Sequence, residues 1–134
     1  MAEGNLEIIR DQYAAVNERD WERAMGHYAE DVVLHVQSAD LRAGIFRGRD
    51  AVGAWFGDWF GTFDRDAHFD FEEIHEVGDD GVLVIAKHRA SGRGSGVRVE
   101  GILVWLYRLR DGKVTRLEGF DTPEQGREAA GLSS

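Results

Sequence analysis

From His68 to Phe120 the chain reads as strand after strand, and only short turns interrupt it. GDDG at 78–81, SGRGSG at 91–96 and RDGK at 110–113 separate the stretches His68–Val77, Val82–Ala90, Val97–Arg108 and Val114–Phe120. A side-chain period of two is strand geometry, and Asp111-Gly112 is a strong signal for a tight hairpin. Connections this short join antiparallel neighbours, so at least the last three strands form a meander. In VRVEGILVWLY, Arg98, Glu100, Ile102, Val104 and Leu106 share one face, and Val97, Val99, Leu103, Trp105 and Tyr107 share the other. Both faces are largely apolar, which predicts a central strand covered by core on one side and by a second copy on the other.

SGRGSG resembles a glycine loop that cradles phosphate. Such a loop needs a helix after it, whose N-terminus meets the anion. Here a strand follows, and no Gly-Lys-Ser/Thr sequence occurs. The glycines therefore turn the chain between two strands, with Arg93 solvated at the tip.

The first half has a different period. Leu6, Ile9, Tyr13 and Val16 line one face of a helix, and Asp20 can cap a second helix whose apolar face is Trp21, Ala24, Met25 and Tyr28. AEDVVLHVQ (29–37) is a short β-branched strand. Gly44 and Gly48 then frame a loop into a third helix, with Val52, Trp55, Phe56, Trp59, Phe60 and Phe63 on its apolar face. At the other end, Thr122-Pro-Glu-Gln125 is a capping-box pattern that starts a short helix, Pro123 to Ala130, which Gly131 can stop. Helices first and strands afterwards argue an α+β domain, with helices packed on one face of a curved antiparallel sheet.

Composition narrows the function. The 134 residues, 43% of them apolar, suit a single domain spanning 1–134 with a modest core. There is no cysteine, which excludes disulfides, thiolate metal sites and a cysteine nucleophile. Twenty-five acids against sixteen bases give a net charge of −9. Bases gather between Lys87 and Arg116, but Glu100 and Asp111 interrupt them, so no nucleic-acid partner is expected. No apolar run is long enough to span a bilayer, and the aromatic helix AWFGDWFGTF lacks the basic face of a membrane-surface helix. MAEGNLEIIRDQ is acidic and amphipathic, unlike a secretion signal, which makes a cytoplasmic address the expectation.

The order DQYAAVNERDWERAMGHYAEDVVLHV, then GIFRGRDAVGAWF, then hairpins ending in RDGKVTRLEGFD, resembles the nuclear transport factor 2-like superfamily. Within it the chain is most similar to the SnoaL-like branch, named for a polyketide cyclase. The resemblance covers nearly the whole chain. It implies a cone-shaped, cystatin-like α+β barrel: a curved sheet wrapped around three N-terminal helices, with a short C-terminal helix. It also implies a homodimer through the sheet. It fixes no single activity, because relatives include isomerases, cyclases, epoxide hydrolases, dehydratases and members without catalysis.

Matching without gaps to the ketosteroid isomerases of the superfamily puts Val36 at the position of the base and Val104 at that of the protonated acid. The tyrosine position falls on Gln12, one residue from Tyr13. With both acids missing, that isomerase chemistry is not expected. The arginine–aspartate set of the epoxide hydrolases is not matched either, since Lys87, Arg89 and Glu118 or Gly119 fall at its positions. SnoaL-like cyclases use an acid on the last strand, a role open to Asp121 or Glu118.

The residues themselves lead to an overlapping set. Cofactor-free acid–base chemistry needs a carboxylate or imidazole in a partly dry setting and a donor for the oxyanion it creates. Asp121 and Glu118 are candidate bases, and Tyr13, His35 and Arg89 candidate donors. Asp121 serves equally as part of the helix cap, Glu118 as a surface charge, and Glu100 as a partner of Arg98 or Arg89. His35 and His88 are each either a titrating pocket group or a hydrogen-bonded sheet histidine. Alternation leaves open whether His88 or its neighbours Lys87 and Arg89 look inward. Trp55, Trp59, Tyr28, Leu34, Val36 and Val104 are candidate walls for a small apolar, ring-containing ligand, with Tyr13 and Trp21 beside them. His68, Asp70 and Glu72 alternate opposite Glu73 and His75, a pattern that an exposed polar strand explains without a metal. No metal or cofactor is expected. The function classes left are an acid–base enzyme, a non-catalytic ligand-binding or accessory protein, and a structural dimer.

Overall fold

The computed structural model describes residues 4–37, 43–61, 67–92 and 94–132. Phe63 and Arg93 lie outside the described residues. Helices α1 (Asn5–Asn17) and α2 (Trp21–Met25) come first, then strands β1 (Tyr28–Val36) and β2 (Gly44–Arg47) and helix α3 (Arg49–Phe60). Strands β3 (His68–Val77), β4 (Gly81–Ser91), β5 (Arg98–Arg110) and β6 (Lys113–Phe120) follow, and helix α4 (Pro123–Ala129) closes the described chain. The α+β class agrees with the sequence reading, and so does the element order apart from β2. Among the described residues, no helix is long and apolar enough to cross a membrane.

One six-stranded sheet runs β2-β1-β6-β5-β4-β3. The meander β3-β4-β5-β6 is antiparallel throughout, and Asp111 (φ 52°) with Gly112 (φ 78°) forms its last tight turn. The sheet is mixed rather than wholly antiparallel, because β1 lies parallel to β6, Leu34 beside Leu117 and Val36 beside Gly119. That pairing needs a long crossover, and the run from β2 to β5 supplies it. The segment framed by Gly44 and Gly48 is a strand rather than a loop. It pairs with β1, His35 opposite Ile45, and turns Phe46 inward against Trp55. Helix α2 is only five residues long, so Tyr28 opens β1 instead of continuing a helical face, and Trp21 stays 43% exposed.

The main core lies between the inner face of the sheet and α1, α2 and α3. Ile9, Val32, Leu34, Val52, Val84, Val114 and Leu117 have no exposed surface there. Burying side chains of this size contributes roughly 1.5–3 kcal/mol each before chain entropy is counted. A second cluster on the outer face joins Val77, Leu83, Ile85, Val104, Leu106 and Phe120 under α4. The capping box expected at Thr122 and Gln125 is formed, and Gly126 brings α4 directly onto Val104 and Leu83. A register shift between Phe71 and Glu73 in β3 puts Glu73 and His75 on the same outer face as His68 and Asp70, not opposite them. Glu73 binds His75 at 2.8 Å and Arg127 of α4. No group of three or more metal-ligating side chains occurs among the described residues.

Asp11 ties the helical layer together. It accepts from Arg23 Nε at 3.1 Å, pairs with the Arg23 Nη2 group and meets His27 Nε2 at 2.7 Å. The hydrogen bonds from Arg23, and next from His27, pull its carboxyl down to about 2. A depressed carboxylate stabilises the fold above its unfolded value and loses that contribution as pH falls through the folded one. Asp11→Asn is expected to cost about 1 kcal/mol at neutral pH, a value reduced for the screening of a partly exposed pair. In urea unfolding the gap between variant and parent should close as pH falls from about 4 toward 2.

Candidate functional site

Alternation along β5 and β6 decides which side chains can reach the space under the helices. Trp105 lies opposite Gly119, and Tyr107 opposite Leu117. A Cβ on Gly119 would stand 2.6 Å from the Trp105 ring, so only glycine lets that indole lie flat over β6. Leu103, Trp105 and Tyr107 thus face the helices, while Val104 and Leu106 face α4. On β4 the same logic turns His88 inward and Lys87 and Arg89 outward, opposite Asp70 and His68 of β3.

The inner face and the helices enclose a cavity of about 600 Å³, including the part open to solvent. Its wall is largely aromatic: Trp21, Phe56, Trp59, Phe60, Phe69 and Trp105, with Val16, Ala24, Met25 and Leu103. The polar groups of the lining come from Gln12, Tyr13, Tyr28 and Tyr107. The Tyr13 and Tyr107 hydroxyls are hydrogen-bonded at 2.7 Å between α1 and β5. Burial pushes all three phenols up, well above the ordinary tyrosine value, so they stay protonated at any physiological pH. Gln12, only 2% exposed, donates Nε2 to Ala24 O at 3.1 Å and lies close enough to Tyr28 to offset part of that rise. His88 is buried beside this space, its ring 5.0 Å from Trp59 and 5.1 Å from Phe69. Desolvation lowers its pKa, which keeps the imidazole neutral at pH 7.

The candidates named from sequence fall into two groups. Tyr13, Tyr28, Trp59 and Trp21 line the cavity. Asp121, Glu118, His35 and Arg89 do not. Glu118 sits opposite Leu106 and beside His35 on the outer face of the sheet, where Gln37 Nε2 donates to it at 3.0 Å and His35 Nδ1 lies 3.9 Å away. Arg89 is held at 2.7 Å by Asp70 on that same face, and Glu100 lies opposite Arg89 in the β4–β5 register. Asp121 adjoins the α4 cap, where its backbone N–H donates to Gln125 Oε1 at 3.0 Å, while Thr122 supplies the capping side chain.

The expected walls also divide. Trp55, Leu34 and Val36 are buried in the core around the cavity without lining it, and Val104 lies on the opposite face under α4. On β5 it is Leu103 and Trp105, not Val104, that reach the cavity. Tyr107, Trp105, Phe69, Phe56, Phe60 and Gln12 are among the lining groups that sequence reasoning did not put forward as site residues. Tyr107 shares a face with Leu103 and Trp105, so fixing the inward face of β5 would have found it.

The family profile described as the SnoaL-like domain matches residues 9–117. The uncharacterised protein Rv0034 of Mycobacterium tuberculosis (strain ATCC 25618 / H37Rv) is 30% identical over 119 residues, which cover 88% of each chain. Among solved structures, RV0760c from Mycobacterium tuberculosis in complex with estradiol-17beta-hemisuccinate aligns with a TM-score of 0.72 at 23% identity, covering 89% of this chain and 94% of that one. TerC co-crystallized with polyporic acid aligns with a TM-score of 0.74 at 22% identity, covering 95% and 98%. The matched profile spans α1 to β6, the elements that build the cavity, and the chain belongs to the SnoaL-like domain family.

Proposed function

We propose that this protein binds a small, flat, apolar ring compound in the cavity and receives the compound's oxygen at the Tyr13–Tyr107 pair. The observation that carries this reading is a hydrogen-bonded pair of protonated phenols within an aromatic wall. Two hydroxyls that bond to each other still hold one free hydrogen and unused lone pairs, so together they can meet a carbonyl or a hydroxyl. The aromatic faces of Trp59, Phe69 and Trp105 suit a planar ligand. Structural relatives have been crystallised with ring compounds, an estradiol derivative and polyporic acid, in keeping with this ligand class.

Acid–base turnover of the bound compound is a second reading, favoured by the same phenols, which are suited to donate to a developing oxyanion. The sheet turns Glu118, His35 and Arg89 away from the cavity. The base in that reading is the neutral His88 imidazole, with Tyr13 and Tyr107 as donors.

Titration of tryptophan fluorescence with estradiol-17beta-hemisuccinate and with polyporic acid tests the binding reading. Tyr107→Phe is expected to weaken binding of a responding compound about 5–20-fold, the value of one or two lost hydrogen bonds. Glu118→Gln and Asp121→Asn should leave it within about twofold. Unchanged affinity in Tyr107→Phe with a loss in Glu118→Gln would place the ligand elsewhere.

Gly119→Ala forces the Trp105 ring into the cavity. It should destabilise the fold by about 1–3 kcal/mol and abolish binding even where thermal melting shows a folded protein.

A further inference from the structure

Gln12 stands where the apolar stripe of α1 should continue. Ile9, Gln12, Tyr13 and Val16 follow the i, i+3, i+4, i+7 spacing of one helix face, and Gln12 is only 2% exposed among them. A leucine or methionine would fill that position without burying an amide.

Only half of the amide is used. Nε2 donates to Ala24 O at 3.1 Å, which fixes the nitrogen end of the side chain, because a flipped amide would set two oxygens against each other. Gln12 also acts on the Tyr28 phenol as a donor, offsetting part of the rise in its pKa, so the nitrogen end serves both neighbours. Oε1 is buried and has no hydrogen-bond partner among the described residues. A buried acceptor is normally matched by protein or by ordered water, because leaving it unpaired costs stability. Gln12 belongs to the cavity lining, next in sequence to Tyr13. The cavity thus combines the free hydrogen of the Tyr13–Tyr107 pair with an unpaired acceptor one residue away on α1.

A carbonyl can use only the first of these groups. A hydroxyl can use both, since its oxygen accepts while its hydrogen donates. We infer that the compound's oxygen is a hydroxyl on a flat ring, a phenol or enol, which accepts from the Tyr13–Tyr107 pair and donates to Gln12 Oε1. On the binding reading proposed above, the ligand class thus narrows from a carbonyl or hydroxyl compound to a hydroxyl compound, and it stands only if that reading does. The terminal torsion of a glutamine side chain is broad, so a small rotation turns Oε1 to the incoming donor while Nε2 keeps Ala24 O. A site that accepts from a ligand hydroxyl rejects the analogue without it, because its acceptor is then left unpaired in a dry wall.

Calorimetric titration at pH 7 with 2-naphthol and with its methyl ether, 2-methoxynaphthalene, separates the two contacts. Both oxygens can accept from the phenol pair, but only naphthol can donate to Gln12. The parent should bind 2-naphthol at least about tenfold more tightly than the ether. Gln12→Met should reduce that preference to within about threefold, through loss of naphthol affinity alone. Tyr107→Phe should weaken both compounds and keep the preference. Thermal melting verifies that each variant is folded; where Gln12→Met is not, the ratio in the parent decides. Equal affinities of the parent for both compounds, as a trapped water on Oε1 would give, overturn the hydroxyl assignment and leave cavity binding intact. So does a preference that survives in Gln12→Met, as a steric effect of the methyl group would. Failure of both compounds to bind, or indifference of both to Tyr107→Phe, removes the binding reading and the hydroxyl assignment with it.

Discussion

The indole of Trp105 lies over the backbone of Gly119, at a separation that no Cβ would tolerate. Much of the molecule depends on that contact. It lets the ring lie flat over β6 on the face that Leu103, Trp105 and Tyr107 turn toward the helices. Trp55 and Phe56 of α3 then pack on the same indole, at 6.1 and 6.0 Å between ring centroids. One missing side chain thus makes room for an indole that forms part of the cavity wall and packs against α3.

The Tyr107 hydroxyl shows how the cavity combines dryness with polarity. A phenol buried without a partner costs about 1–3 kcal/mol, and a paired one costs little. Tyr13 and Tyr107 satisfy each other across the gap between α1 and β5, so the fold can keep both inside an apolar wall. The charges are handled differently. Asp11, Glu73, Asp70 and Asp80 all find cationic partners on the outside of the molecule. Inside, the polar side chains of the lining, Gln12 and the three tyrosines, are neutral.

The helices, the hairpins and the capping box were legible because each rests on local chemistry: apolar spacing at three and four residues, Asp111-Gly112, and Thr122 with Gln125. Tyr13, Tyr28, Trp21 and Trp59 were legible as candidates because they recur at helical spacing, although Tyr28 proves to open β1. The roles suggested for Glu118, His35, Arg89 and Val104 depended on which face of a strand points inward. A period of two gives two equal answers to that question, and a match displaced by one residue inverts it. The bulge in β3 did the same to Glu73 and His75.

By itself the sequence determined the α+β order of elements, the turn chemistry, the absence of thiol chemistry and the wealth of aromatic residues near the helices. Those properties are local or compositional. Only the tertiary structure decided that β1 runs parallel to β6, that Trp105 and not Val104 looks inward, and that Tyr13 meets Tyr107 across 94 positions of chain. Each of these follows from contacts between residues distant in sequence, where packing against Gly119 and under α4 chooses between faces that the alternation leaves equivalent.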